Sequence, residues 1–479
     1  MDSAEAETDK KTLVFGSEDR FLPFECSVLG SGSTFSINST GMILAIANEQ
    51  NIDIYNLDTG DRTVLSLHAW KIRTLGFSPT DPNLLVSWSS CITGPRIAND
   101  SDSDGIIVWD LDRQQPTQQN QDSVPIAITE AAKAGVEAVI ARLGDTLELP
   151  DDATKEMESL LRSSIERYDP ENRLPYSARI NGRIGISSDS PLFSHSGEYL
   201  IFAPPESPTG FISNTFDICL YSFANRTTKA LVGQKDSIVW AGFSPDDSLV
   251  ASGGWKGDFR VHDLTGKEVC SWKQSGQIQA AMFSPDGKYL LITNRAGMIR
   301  VWDVNTGTEI SEYDYGPRGC RILDWSSEGD DSVDEQYILV GSDSQGRLGL
   351  FKFAEGKLEF VQERKLSMEK SDIESLDPSV RPQVGGFFSV QTARFARSIG
   401  ESKNSMKVVY SVSTDEGIEV FDFRTGKGWR FEPPHQEEGS TKTMKSDKKQ
   451  NRVIGHFWRK ETGELGIIAP DGIRFWRLK

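Results

Sequence analysis

The chain is short of the residues that metal centres, disulfide frameworks and hydrolytic sites need. Its 479 residues include five cysteines, Cys26, Cys91, Cys219, Cys270 and Cys320, and five histidines. The cysteines are odd in number and widely spaced, with no Cys-x-x-Cys pair, so neither a disulfide framework nor a zinc site is indicated. His68, His195, His262, His435 and His456 show no ligand spacing. No run approaches the roughly 18 continuous apolar residues of a membrane-spanning helix. The opening MDSAEAETDKKTL is polar and acidic, without the apolar core of a secretory leader. These absences lead to the expectation of a soluble intracellular protein, in the cytoplasm, the nucleus or both. Basic residues are also in deficit, 52 against 70 acidic ones, giving a net charge of −18 and a pI near 4.9. A surface of that sign repels polyanions, which argues against wholesale binding of nucleic acid or anionic membrane.

What the sequence does contain is a repeat. SIVWAGFSPDDSLVASGGWKGDFRVHDLTGKE, starting at Ser237, is followed by QIQAAMFSPDGKYLLITNRAGMIRVWDVNTGTE. Phe243 and Phe283 are 40 residues apart, and so are Asp263 and Asp303. A fixed period near this length marks an array of supersecondary units that bury their faces against one another. Each unit reads as short strands between turns: a run closing on Phe-Ser-Pro, a second apolar run, and an alternating segment ending in Trp-Asp or His-Asp before Thr-Gly. The pattern resembles the WD40 repeat, the four-stranded blade of a β-propeller. Trp109-Asp110 and Trp302-Asp303 match that family's strand ending; His262-Asp263, Phe421-Asp422 and Tyr55-Asn56 are degraded versions. Blades of the family often carry a Gly-His whose histidine joins a buried network with the Trp. Only His68 is a loose match here, which implies a mostly missing network and blades held by apolar packing and ladder hydrogen bonds.

Taken in order, the chain reads as all-β, a WD40-like propeller of about eight blades, with seven as the alternative. Residues 1–10 have the composition of a disordered segment, and 11–479 read as a single closed propeller. Blade one spans roughly 33–68. Blade two begins at Ile72, reaches GIIVWDLD at 105–112 and takes GRIGIS (182–187) as its outer strand. Between those strands the period changes to about 3.6. Ile128, Ala132, Val136, Val139, Ile140 and Leu143 form one apolar stripe, and Met157, Leu160, Leu161, Ile165 and Tyr168 another. Residues 126–169 are therefore predicted to be an α-helical hairpin inserted in blade two. Blade three starts with PLFSHSG, the reference repeats are blades four and five, and blades six and seven follow. The last segment supplies only three strands before Lys479. Because a propeller leaves no open edge when both ends of the chain share one blade, TLVFG (12–16) is the expected fourth strand.

Catalytic and cofactor motifs are absent. No G-x-x-x-x-G-K-[ST] occurs, no G-x-G-x-x-G lies between a strand and a helix, and Gly30-Ser31-Gly32-Ser33 lacks the context of a nucleophile elbow. Asp100, Asp102, Asp104 and Gly105 open like a calcium loop. The position for the bidentate Glu is Leu111, however, so an acidic loop entering a strand is preferred and no metal is assigned. No catalytic residue and no cofactor is expected, and the chain reads as a non-enzymatic protein–protein interaction scaffold. The loops entering each blade and those joining its second and third strands share one face. That face holds Trp70, Lys71, Trp255, Lys256, Arg295 and Arg318, residue types that dominate protein interfaces. Set in an acidic protein, they suggest a protein or peptide partner carrying negative charge. The alternative is a translation- or RNA-associated propeller, favoured by the basic run Lys442–Arg452 and opposed by the net charge.

Overall fold

The Phe-Ser-Pro punctuation becomes a turn with its own hydrogen bonds. Ser244 Oγ donates to Asp246 Oδ1 at 2.6 Å and accepts from the Leu249 amide at 2.9 Å. Ser284 repeats both contacts with Asp286 and Tyr289. The position after the aspartate, or its counterpart, has a positive φ, taken by Gly197, Asp247 and Gly287 in three successive blades. Glycine is favoured there because a side chain strains that conformation. At the other punctuation mark Asp263 Oδ1 accepts from the Thr265 and Lys267 amides, and Asp303 Oδ1 from the Asn305 and Thr306 amides. Both turns close the strands flanking them as hairpins, so the periodic signal sets the strand boundaries.

In this computed structural model, residues 13–14, 20–24, 34–68, 70–90, 103–112, 155, 176–184, 191–204, 217–316, 319–326, 336–342, 347–365, 390–395, 407–412, 418–431, 455–459, 462, 464–469 and 471–477 are described. They form eight sheets, and the architecture is all-β with eight blades, which sets aside the seven-bladed alternative. The predicted hairpin at 126–169 lies outside the described residues, apart from Lys155.

The strands fall into two compact units. One unit, Ser33–Ile186 and Leu192–Ala230, carries the first three blades. Blade one is a four-stranded antiparallel sheet of Phe35–Ile37, Ile43–Asn48, Asn51–Asn56 and Arg62–Ser66. Blade two joins Ile72–Phe77, Leu84–Ser90 and Ser103–Asp110 to an outer strand at Tyr176–Ile180, not at 182–187. YSARI meets an outer strand's need to bury one face, with Ala178 and Ile180 buried and Ser177 and Arg179 half-buried. Blade three has three strands, Tyr199–Phe202, Ile218–Ser222 and Thr227–Leu231. Arg183 of GRIGIS makes one isolated bridge to Ala203 of this blade, and the predicted first strand PLFSHSG contributes only the second, Phe193–Leu200, among the described residues. Pro191, which cannot donate to a ladder, stands beside the second.

The other unit, Met1–Gly32, Ser187–Pro191 and Leu231–Lys479, carries blades four to eight. Blade four is Ile238–Phe243, Leu249–Gly254, Asp258–Asp263 and Glu268–Lys273. Blade five is Ile278–Phe283, Tyr289–Asn294, Met298–Asp303 and Thr308–Asp314. Blade six comprises Cys320–Trp325, Gln336–Ser342, Arg347–Ala354 and Lys357–Lys365. Middle strands such as Leu249–Gly254 are buried almost throughout, whereas the outer Glu268–Lys273 is mostly exposed. Each core cluster draws on two consecutive blades: Trp240, Phe259, Trp272 and Trp302 sit in the one shared by blades four and five. Burial of such rings is the main stabilising term.

Blade eight corrects the strand expected to complete it. Its three C-terminal strands, Gly455–Arg459, Glu464–Ala469 and Gly472–Arg477, take Arg20–Pro23 as their fourth, antiparallel to the last. The pairing is doubly stapled: Arg20 stands 4.1 Å over the Phe475 ring and Arg474 4.6 Å over the Phe21 ring. Leu13–Val14 instead runs parallel to Lys427–Phe431, the outer strand of blade seven. A proline within RFLPF argues against a strand when read alone, but Pro23 is the terminal residue of an edge strand, where no ladder donor is required.

Candidate partner-binding face

The first strand of each blade begins, and its second ends, at the same end of the sheet: Ile238 pairs with Gly254 and Ile278 with Asn294. The turn joining strands two and three therefore meets the segment entering the blade. In blade four the Trp255 amide donates to Ser237 O at 2.8 Å, and Trp255 O accepts from Ile278, the first strand residue of blade five. The Lys256 amide donates to Asp236 Oδ2 and the Gln274 amide to Gly257 O at 3.0 Å. This face is thus pinned by backbone hydrogen bonds, which fixes the roots of its exposed side chains.

Behind the face lies the buried network the sequence reading took to be mostly missing. His68 Nε2 lies 2.7 Å from Ser87 Oγ, which also accepts from Trp109 Nε1 at 2.7 Å. In blades four and five the histidine's place is filled by glutamine. Gln234 Nε2 donates to Ser252 Oγ at 2.9 Å, and Gln274 Oε1 accepts from Trp302 Nε1 at 3.0 Å. Gln234 and Gln274 are both about 95% buried. An amide offers a donor and an acceptor on one short side chain, as a neutral imidazole does, so the exchange preserves the bond to the strand. The spacing carried the signal: Gln274 precedes Trp302 by 28 residues, and Gln234 precedes His262 by the same interval.

The six predicted surface residues separate on inspection. Trp255 is 42% exposed, and Lys256 and Arg295 are exposed beside it in blades four and five. Lys235 and Lys273, which the sequence reading did not single out, join them: the Lys235 amide donates to Asp258 Oδ2, and Asp258 pairs with Lys273 in the ladder. No carboxylate lies within ion-pair distance of Lys235, Lys256, Lys273 or Arg295 among the described residues, whereas neighbouring Arg260 is paired with Asp258 and Glu268. Trp70 and Lys71 belong to the other compact unit. Trp70 is half-buried, and Lys71 is engaged by Glu49 at 3.0 Å. Arg318 lies outside the described residues.

Other chemistry does not converge. No group of three or more His, Cys, Asp or Glu side chains could hold a metal ion among the described residues. Asp104 and Gly105 sit within the strand Ser103–Asp110, while Asp100 and Asp102 lie outside the described residues. His262 Nε2 is 3.0 Å from Val232 O, a structural contact. No described helix is long and apolar enough to cross a membrane.

A profile of the anaphase-promoting complex subunit 4 WD40 domain matches residues 241–328, the stretch holding the regular repeats and the Gln274–Trp302 contact. The chain is a WD40-repeat β-propeller. Among curated relatives of this WD40 propeller is the eukaryotic translation initiation factor 3 subunit I of Lodderomyces elongisporus. It is 24% identical over 205 residues, covering 38% of this chain and 53% of that subunit. WD repeat-containing protein 1 of Mus musculus is 33% identical over 87 residues, 17% of this chain and 14% of its own. The propeller thus spans about half the length of the first relative and a small part of the second. Among solved structures, the computationally designed Ika8 protein shares the fold with a TM-score of 0.51 at 14% identity, over 95% of this chain and 99% of that one.

Proposed function

We propose that this propeller is a non-enzymatic interaction scaffold inside the cell, and that the blade four–five face receives an acidic peptide segment of a partner protein. The supporting observation is the exposed Trp255 set among four cations, Lys235, Lys256, Lys273 and Arg295, that no described carboxylate neutralises, in a chain of net charge −18. An aromatic anchor ringed by unpaired cations suits an extended anionic chain: the ring supplies buried area, and the cations supply charge-assisted hydrogen bonds and a faster encounter. Members of this fold generally act through such surfaces, and grafted loops decide the partner.

The triple variant Trp255→Ala, Lys256→Ala, Arg295→Ala tests the reading. It is expected to weaken binding of a glutamate-rich octapeptide by about 30-fold or more, the scale of one interface hot spot. The melting temperature should hold, because these side chains lie outside the core. Unchanged affinity for the peptide, together with an unchanged set of captured proteins, would discard this face.

The similarity to an initiation-factor subunit supports a second reading, a propeller within a translation assembly. Charge reversal at Lys442, Lys445, Lys448 and Lys449 would then abolish RNA binding at low salt. An intact chain that binds no RNA under those conditions removes the nucleic-acid form of that reading.

A further inference from the structure

The outer strands of blades four, five and six share a feature that marks a second surface, distinct from the blade four–five face. Each carries a β-bulge at the same ladder position. Val261 pairs with Cys270 and His262 with Glu268, which leaves Val269 as the extra residue. The same count leaves Ile310 between the partners of Val301 and Trp302, and Val361 between those of Leu350 and Phe351. The bulges follow closely on the turns joining strands three and four, at the opposite end of each sheet from Trp255. All three extra residues are aliphatic and 41% to 46% exposed. Phe360, edge-on to Phe351 at 5.5 Å, is exposed beside Val361. These four are half of the eight large apolar side chains exposed among the described residues.

The bulge itself does not call for an apolar residue. Blade two has it at the same place, next to the partner of Trp109, and fills it with Ser177, whose hydroxyl donates to Val108 O at 3.2 Å. The outer strands of blades one and three expose threonine, lysine and alanine. Water favours such polar or small residues at a rim, so aliphatic ones on three consecutive blades indicate a surface that is covered in use. The three rims are also tied together. Cys270 Sγ donates to Val304 O, and Ser311 Oγ to Gly356 O. Ile310 reaches blade six as well: a Cβ at Gly356 would come within 2.8 Å of its Cγ2.

Two observations define the occupant. A bulge breaks the ladder and twists an edge away from further pairing, so these edges do not suit an added strand. A helix needs no ladder partner and can carry one apolar stripe across several blades. Charge then sets the flanks of that helix. Exposed on residues 308–314 and 355–361 are Glu309, Glu312, Asp314, Glu355 and Glu359, against Lys357. Arg300 is shared by Glu309 and Glu312, while Glu355 and Glu359 have no cationic partner among the described residues. A second copy of this chain would set like charge against like. We propose that the rim of blades four to six docks a basic amphipathic helix of a partner protein. Its aliphatic stripe lies on Val269, Ile310, Phe360 and Val361, and its lysine or arginine flanks meet the carboxylates.

The probe is a fluorescein-labelled peptide of about 15 residues, roughly four helical turns, with leucine at i, i+3, i+4 and i+7 and lysine on the flanks. Fluorescence anisotropy on the full-length chain should show saturable binding. Val269→Ser, Ile310→Ser and Val361→Ser together are expected to weaken it about ten-fold or more. Glu355→Lys with Glu359→Lys, both at exposed positions, serves if the serine variant unfolds, and should weaken binding several-fold at low salt. No saturable binding, or affinity unchanged in the folded variants, overturns the proposal. So does equal affinity for an isomer whose leucines are spread around the helix, because charge alone then holds it. Tighter binding of an isomer with alternating leucine and lysine would assign the rim to a strand and overturn it too. A full-length dimer that the serine variant dissociates does the same, because the rim then covers a second copy.

Discussion

Replacing Trp272 by alanine is expected to lower the unfolding free energy by about 3–5 kcal/mol, the range for deleting a buried aromatic side chain. The ring is 92% buried and is the middle of a three-ring stack. Phe259 of its own blade lies parallel at 5.5 Å, and Trp302 of the next at 5.1 Å. Its removal separates two blades' contributions to one core, so the cavity cannot be closed by a single neighbour. The conservative variants sharpen the test. Trp272 Nε1 has no acceptor, so Trp272→Phe loses area and little else, about 1.5 kcal/mol or less. Trp302→Phe should cost more than Trp272→Phe by about 1–3 kcal/mol, because it strips a buried Gln274 Oε1 of its donor. Urea unfolding of the three variants gives the order directly. Equal costs for the two phenylalanine variants would show that the glutamine network contributes nothing.

Lowering the pH from 7 to 4.5 is expected to destabilise the protein through His456 in blade eight. Burial first, and the Arg394 guanidinium second, hold its folded pKa down to about 4, against 6.5 for the ordinary imidazole. Between those two values the unfolded chain takes up a proton that the folded chain refuses. The stabilisation is therefore complete above pH 6.5 and is lost as the pH falls through the folded value. A shift of this size corresponds to at most about 3 kcal/mol. Carboxylates held low in the fold, such as Asp471 beside Arg474, weaken in the same direction as acid is added, so the variant isolates the histidine. His456→Gln should flatten the slope of stability between pH 6.5 and 4.5, measured by urea unfolding at several pH values. An unchanged slope would assign the acid sensitivity to the carboxylates.

The parts of the fold legible in the sequence were those under the strictest physical constraint. Middle strands need apolar residues on both faces, and tight turns need Ser, Asp, Gly and Pro at fixed offsets, so blades four and five stood out at once. Outer strands obey a looser rule. They bury one face and tolerate arginine and proline, so Tyr176–Ile180 and Arg20–Pro23 carry no strand signal strong enough to stand out beside GRIGIS and TLVFG. The buried network escaped notice for a related reason: a search for histidine passes over Gln234 and Gln274, although an amide meets the same hydrogen-bonding need. On the candidate face, residue type and turn position located Trp255, Lys256 and Arg295. They did not reveal that Lys71 is already engaged by Glu49, because that partner lies 22 residues away in another turn.

The closing strand of blade eight also sets the order of assembly. Most blades pair strands that are near neighbours in sequence and can form as soon as their own segment is synthesised. Arg20 must wait for Phe475, a separation of about 450 positions and hence one of the costliest loop closures the chain can make. During synthesis Phe21 and its neighbours stay without this partner until residues 472–475 have emerged, a long window in which a foreign strand could take its place. The reciprocal arginine–phenylalanine stacking on that strand is then a latch that forms late, because it needs residues from two distant parts of the chain at once.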